Sequence, residues 1–394
     1  MVQIPPPRVS FPSGTPRNLN SRFYTASCRQ PLGFRACPGP CARARARRVE
    51  QQQATVCNRA NREGATVKVE GVGIPARPPM KAVTRSAAFT FKSDAAVPRI
   101  KKPTEVLVSI RAAAINPVDY KAPKMLLGPI VGLDFSGVVE QVGAGVSTLA
   151  VGDAVYGTAP GTLAEFVVVD AGRIAKKPAS LSFAQAAAMP TAYLTSLQSL
   201  RAAGMSTSSK VLVIGASGGC GSAGVQIAKT LGAKEIVGVC SGKNAEVVKA
   251  MGAHRIIDYQ TQSLVNETPD YDVVYDTATN SGAGENYRAS GIKLLAPVTS
   301  GRRPQYVAIN GGLSVWLRKF MGWEQRDTHL ILTDANTKDL QLLAQMVDAG
   351  DAAPFFGKLS PAICKTLPFE SAAIVEGFEL LKSRRAVGKI VFQM

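Results

Sequence analysis

The chain has 394 residues, 46% of them hydrophobic, and a formal net charge of +18 at pH 7. That length allows two domains and a sizeable core, and no apolar run approaches the roughly 20 residues that cross a bilayer, so no transmembrane helix is expected. Cys28, Cys37, Cys41, Cys57, Cys220, Cys240 and Cys364 are scattered without a Cys-x-x-Cys pair. Neither a disulfide framework nor a thiolate zinc site is indicated, and a reducing compartment fits.

The charge is concentrated at the start. Residues 1–49 hold nine Arg and no Asp or Glu, half of the net charge, and are rich in Pro and Ser. They lack the apolar stretch of a secretory signal. Arg-rich, acid-free composition is that of an organelle transit peptide, plastid or mitochondrial. The alternative is a basic tail that binds RNA or an anionic surface. No aromatic residues interleave with Ala42–Arg48, so a stacking platform for nucleic acid is not expected. Residues 50–79 are polar and irregular and read as a disordered linker.

Folded structure is expected from Met80. Glu105–Arg111 alternates apolar and polar residues, the pattern of a half-buried strand. Asn116-Pro-Val-Asp119-Tyr120-Lys121 reads as a polar loop. Gly132-Leu-Asp134-Phe-Ser-Gly137 and Gly152-Asp153-Ala-Val-Tyr-Gly157, dense in Gly and β-branched neighbours, predict short strands in a barrel-like, mostly antiparallel domain. Ser182 is placed to cap a short Ala-rich helix. Pro190 ends it, and Thr191–Ala203 reads as the helix leading into a second domain.

Val211–Ile214 is a short apolar run, followed by the small-residue turn Gly215–Gly221 and a helical repeat through Val225, Ile227, Ala228 and Leu231. Strand, Gly-rich turn and helix form the dinucleotide-binding unit. Here Ala216 stands where the strict pattern has Gly, so the motif alone leaves an ordinary strand-to-helix turn open. Ser217, Gly218, Gly219, Cys220 and Gly221 are the candidate pyrophosphate contacts, because a helix N-terminus presents unpaired N–H groups. Ile236–Cys240 is the next strand. An acidic residue to bind a ribose 2′-hydroxyl is expected about 20 residues past the last motif Gly. Ser241, Gly242, Lys243 and Asn244 stand there instead. A hydroxyl and an ammonium suit a 2′-phosphate, although Lys243 also reads as a solvated turn residue. Tyr259, after the strand at Arg255, is placed to pack beside that phosphate or to cover an edge. NADPH is therefore expected over NADH.

Asp272–Asp276 and Gln305–Ile309 read as further buried strands, the latter ending at Asn310-Gly311-Gly312 on the ligand-binding edge. Trp316, Leu317, Phe320, Met321 and Trp323 cluster with Arg318 and Lys319. They read as a lid or subunit contact, with a membrane-surface contact as the sharper alternative. Asp339–Asp348 and Phe369–Leu381 read as helices, and Gly388–Phe392 as a closing strand.

These pieces, in this order from Met80 to Phe392, resemble the medium-chain dehydrogenase/reductase superfamily. Within it the chain is similar to the zinc-independent quinone oxidoreductase branch, nearest plastid-envelope quinone oxidoreductase homologues and alkenal/enone reductases. The resemblance implies an α/β fold, a Rossmann doubly wound parallel sheet plus a GroES-like, mostly antiparallel β-barrel catalytic domain. The implied order is 1–49 transit peptide, 50–79 linker, 80–190 first part of the catalytic domain, 191–345 NADPH-binding domain and 346–394 the remaining catalytic part. It further implies a chloroplast protein, with the mitochondrion as alternative, and a homodimer. It adds Thr191, Gly311 and Lys389 to the cofactor contacts, and Asn116, Tyr120 and Lys121 as the catalytic candidates.

The zinc-dependent branch places a Cys where this chain has Asn116, a His where it has Leu133, and a third ligand near Ala187. The only histidines are His254 and His329, neither with ligand spacing, so no metal is expected. Without a Lewis acid a conjugated acceptor is the easier substrate. The expected reaction is reduction of an α,β-unsaturated carbonyl or quinone by NADPH, a hydride going to the β-carbon while charge moves to oxygen. The alternative is a non-catalytic NADPH-binding protein at a membrane surface or on RNA.

Overall fold

The computed structural model describes residues 77–85, 89–122, 124–279, 286–298, 303–323, 327–348 and 355–394. The expected leader at 1–49 and nearly all of the 50–79 linker lie outside the described residues. Strands β1 (Met80–Thr84) and β2 (Thr90–Ala95) pair antiparallel as a small separate sheet. Strands β3 (Glu105–Ile115), β4 (Asp134–Val142), β5 (Ala154–Thr158), β6 (Phe166–Asp170) and β7 (Ile174–Lys176) follow. The parallel strands are β8 (Lys210–Ile214), β9 (Glu235–Cys240), β10 (Arg255–Asp258), β11 (Val273–Asp276), β12 (Gln305–Ala308) and β13 (Thr328–Leu330). Two last strands, β14 (Ile363–Pro368) and β15 (Lys389–Gln393), return to the first group.

The first group forms a seven-stranded sheet in the order β14-β15-β3-β4-β5-β7, with β6 also paired to β3. Its pairs are antiparallel except β14 with β15. Among the described residues these pairings run as an open path rather than a closed ring. Val106, Val108, Phe135, Val155, Ile174 and Phe392 fill its interior, all but inaccessible to water.

The second group is a six-stranded parallel sheet in the order β10-β9-β8-β11-β12-β13. This is the doubly wound order, with the direction of winding reversing between β8 and β11. In β8, Val211 and Val213 share one face with the helical residues Leu197, Val225 and Ile227 and with Tyr275 of β11, while Leu212 and Ile214 share the other with Val237, Val239, Val274 and Tyr306. Burial on both faces is why β8 reads as an unbroken apolar run. Ala216, which departs from the strict motif, is fully buried, and its methyl packs beside Gly238 on β9.

Ser182 Oγ accepts from Gln185 N and opens the helix Phe183–Ala187, and Pro190–Ala202 follows as the next helix. The two sheets are tied together within one compact unit. Tyr156 Oη on β5 donates to Leu340 O on the helix Thr337–Asp348, at 2.6 Å. More directly, Gly388 N donates to Ser217 O at 2.9 Å, and Gly388 forms a parallel bridge with Gly218. The turn after β8 is thus pinned to the residue just before β15.

Gly388 has a φ of +84°, and a methyl there would overlap Ala362 O. Gly388→Ala should therefore destabilise the protein by about 2–3 kcal/mol, the range for a side chain forced into this backbone region and into contact. A urea midpoint unchanged from the wild type would contradict this role.

Candidate active site

The turn at the carboxyl end of β8 meets the start of β15 at one cleft. Gly218 is extended and caps the helix Gly219–Thr230 without a side-chain hydrogen bond. The first-turn N–H groups of that helix are therefore available to an anion. Gly221 is required by packing, since a Cβ there would overlap the Gly215 carbonyl oxygen. Cys220 O accepts from Ser196 Oγ at 2.8 Å, and its side chain packs on the core. Burial pushes the Cys220 thiol up to about 11, so it is a filler rather than a nucleophile.

The residues after β9 and β10 form the far end of the cleft. Ser241 is buried, Lys243 is exposed, and Asn244 Nδ2 donates to Ser217 Oγ at 3.2 Å. Tyr259 is 40% exposed, and its N–H donates to Cys240 O. A separate hollow of about 410 Å³ runs along β10, lined by Gly242, Lys249, His254, Arg255, Asp258 and Gln262 and by none of Ser241, Lys243, Asn244 and Tyr259. Gly311, just past β12, donates its N–H to Asn310 Oδ1 at 2.9 Å.

At the near end lies a buried polar cluster. Asp134, fully buried at the start of β4, accepts from Thr191 N at 3.0 Å and from Thr191 Oγ1 at 2.5 Å through Oδ1. Its Oδ2 accepts from Asn116 Nδ2 at 2.9 Å and from Lys389 Nζ at 3.0 Å. Lys389 Nζ also donates to Asn116 Oδ1. Both Lys389 and Asn116 are 5% exposed. The Lys389 stem lies beside Gly219, so the same side chain borders the Gly-rich turn. An ammonium so deeply buried persists because it is paired and hydrogen-bonded.

Asp119 sits one turn along from Asn116, in the helix Pro117–Lys121, and its Oδ2 accepts from Asn116 N at 2.7 Å. Burial pushes its carboxyl up to about 7, with the neighbouring Asp134 charge adding to the rise against the pull of that hydrogen bond. Tyr120 and Lys121 are placed differently from Asn116. Tyr120 packs against the core of the seven-stranded sheet, with Lys121 Nζ and Lys382 Nζ each 5.9 Å from its ring centroid. Lys121 is exposed, and burial of its amine and then the Arg384 charge lower its pKa. The structure thus gathers Asn116, Thr191 and Lys389 around Asp134 and groups Tyr120 and Lys121 with Lys382 and Arg384.

Asp134 was legible only as part of a Gly-rich motif. Its partners Asn116, Thr191 and Lys389 lie 18, 57 and 255 residues away. The signal available was an acidic residue among apolar and small neighbours, which needs partners when buried.

The three positions compared with zinc ligands are Asn116, bonded as above, Leu133 and Ala187, which is buried. His254 Nδ1 accepts from Ile236 N at 3.0 Å, and His329 Nε2 pairs with Gln305 Oε1 at 2.8 Å. Among the described residues no three of His, Cys, Asp and Glu are grouped as ligands for a metal ion.

Residues 102–179 match the family described as alcohol dehydrogenase GroES-like domain, and residues 251–392 match zinc-binding dehydrogenase. The chain is 33% identical to the 2-methylene-furan-3-one reductase of Solanum lycopersicum, covering 76% of this chain and 74% of that protein. It is 30% identical to the chloroplastic NADPH-dependent alkenal/one oxidoreductase of Arabidopsis thaliana, over 76% and 75% of the two chains. It is 28% identical to the mitochondrial NAD(P)H oxidoreductase RTN4IP1 of Homo sapiens, over 79% and 87%. Among solved structures, the quinone oxidoreductase from Coxiella burnetii superposes with a TM-score of 0.67 at 27% identity, covering 80% of this chain and 99% of that one.

Asp119 supplies a pH test. Its carboxyl goes from 3.8 as a free side chain to about 7 in the fold. The folded state therefore holds a proton that the unfolded chain has released, and stability from this group falls as pH rises between those values. Asp119→Asn keeps an acceptor for Asn116 N and removes that component. Its melting temperature relative to the wild type should rise from pH 5 to pH 8, and parallel curves would contradict the assignment.

Proposed function

We propose, for a chain that belongs to the medium-chain dehydrogenase/reductase superfamily, the activity of an NADPH-dependent reductase of α,β-unsaturated carbonyls or quinones. The observation that carries this reading is Lys389. Its ammonium is held by Asp134 and Asn116, and its stem lies along the turn that follows β8. One side chain borders both the cofactor turn and the polar end of the cleft.

We assign residues 80–190 and 346–394 to the GroES-like catalytic domain and 191–345 to the dinucleotide domain, in keeping with which strands join which sheet. Ser217, Gly218, Gly219, Cys220 and Gly221 would hold the pyrophosphate against the helix N-terminus. Ser241, Lys243, Asn244 and Tyr259 would take the adenosine 2′-phosphate. Thr191, Gly311 and Lys389 would border the nicotinamide end. When bound, the reduced dinucleotide supplies a hydride.

The chain's own part is to orient the acceptor and stabilise charge arriving at its oxygen. Lys389 Nζ carries three hydrogens and Asn116 Nδ2 two. Among the described residues their hydrogen bonds to Asp134 and to each other use two and one of these, leaving one donor on each. Donors fixed in a buried site need little reorganisation as charge develops. Water would return a proton to the α-carbon, since Tyr120, the donor expected from the sequence, packs on the core of the seven-stranded sheet and is not part of the Asp134 cluster. We assign no zinc to this reaction. The donor set at Asn116 and Asp134 contains an ammonium, which repels a dication and already satisfies the carboxylate, so these residues do not fit the ion that one family description names.

The Arg-rich leader supports an organellar destination, which we take to be the chloroplast. The two named organellar relatives divide between chloroplast and mitochondrion. The exposed Leu317, Phe320, Met321 and Trp323, on and just after the helix Leu313–Phe320, supply an apolar surface for a second copy. A peripheral membrane contact through the same surface, with Arg318 and Lys319 at its side, is the reading set against it. Light scattering of the purified protein without its leader should give a dimer mass, and a monomer that sediments with anionic vesicles would favour the membrane.

A panel of small enones and quinones mixed with NADPH should consume the reduced-nicotinamide absorbance. No turnover with any acceptor would overturn the reading. Lys243→Ala should raise KM for NADPH by roughly 10- to 100-fold, the weight of one charge-assisted hydrogen bond, and leave NADH nearly unchanged. An equal effect on both would remove Lys243 from the phosphate site.

A further inference from the structure

We propose that Asp134 is a positioning residue that makes the Thr191 hydroxyl a hydrogen-bond acceptor toward the bound dinucleotide and holds Asn116 and Lys389 in one fixed arrangement beside it. The inference rests on the functional reading above, and it concerns hydrogens rather than proximity. A carboxylate accepts and does not donate. Thr191 Oγ1 lies 2.5 Å from Asp134 Oδ1, and Thr191 N also points at that oxygen, 3.0 Å away. The single hydroxyl hydrogen is therefore spent on Asp134. What Thr191 offers to the cleft is a lone pair, suited to an amide N–H or a sugar O–H and unsuited to a carbonyl oxygen.

The other carboxylate oxygen sets the Asn116 amide. Oδ2 accepts from Asn116 Nδ2 at 2.9 Å, so the Asn116 carbonyl oxygen faces Lys389 Nζ and accepts from it. Lys389 Nζ closes the ring with its bond to Asp134 Oδ2 at 3.0 Å. Four donors converge on one fully buried carboxylate. Each side-chain donor is a residue assigned to cofactor or substrate. One acid thereby decides which atoms of three site residues donate and which accept.

An amide at this position cannot serve both sides. Asp134→Asn must point an NH₂ group either at the Thr191 donors or at the Lys389 ammonium, and one set of bonds is lost. Thr191→Val keeps the shape and removes the lone pair, while Thr191→Ser keeps the lone pair.

The experiment measures NADPH binding by quenching of intrinsic fluorescence, alongside kcat and KM for an enone, in the full-length protein. Thr191→Val should weaken NADPH binding about tenfold, the cost of one hydrogen bond. Thr191→Ser should bind within about twofold of the wild type. Asp134→Asn should lower kcat at least about tenfold in the wild-type background. It should lower kcat markedly less when Thr191 is already Val, because residues acting as a unit are not additive. If Asp134→Asn does not fold, the Val and Ser variants of Thr191 still decide the matter. Equal NADPH affinity in wild type, Thr191→Val and Thr191→Ser would overturn the proposal, as would an additive double variant. Failure of the wild type to oxidise NADPH with any acceptor would instead overturn the functional reading.

Discussion

A carboxylate with no access to water holds this structure's site together. Asp134 would be severely destabilising alone, since an isolated buried charge costs many kcal/mol. Its oxygens accept from an ammonium at the far end of the chain, the amide of Asn116 just after β3, and the hydroxyl and N–H that open the helix Pro190–Ala202. Those donors belong to parts of both sheets' surroundings. Satisfying one charge therefore ties β4 and β15 of the seven-stranded sheet to the start of the helix Pro190–Ala202. The bridge between Gly218 and Gly388 makes the same connection through the backbone, one residue from Lys389.

The same arrangement sets this cleft's donor set apart from that of a zinc site. A zinc site needs neutral or anionic donors that converge on an open position. This chain directs an ammonium at the same carboxylate and amide. In the proposed reaction Lys389 would supply the positive charge, with a hydrogen to give to a substrate oxygen. The cost of burying Lys389 is offset by Asp134, which fixes where its hydrogens go.

Much of the fold was legible because local pattern and tertiary environment agree. β8 is covered on both faces, so its apolar run and following turn stand out. Ser182 caps its helix as its residue type predicts. Elements missed were those whose pattern is set by distant contacts. β13 is only three residues long and includes His329, which pairs with Gln305 on the neighbouring strand. β14 is largely exposed and ends in Pro368, so it lacks an apolar signature. The helix Tyr287–Lys293 contains Ser290 and Gly291, both weak helix formers, and is held by burial of Tyr287. The site divided in the same way. The Gly-rich turn is contiguous and readable, whereas Asp134 gains its role only from partners brought in by the fold. The stretch 116–121, expected as a polar loop, is instead the helix Pro117–Lys121 capped by Asn116, with Asn116 bonded to Asp134 and Tyr120 packed on the other core.

In the proposed reaction the cleft delivers a hydride to the β-carbon of a conjugated acceptor. NADPH carrying deuterium at the transferable nicotinamide position, incubated with the protein and an enone, tests it directly. The expected product is a saturated ketone or aldehyde with the label on the β-carbon. An allylic alcohol labelled on the carbinol carbon would contradict it, because the hydride would then have gone to the carbonyl group itself.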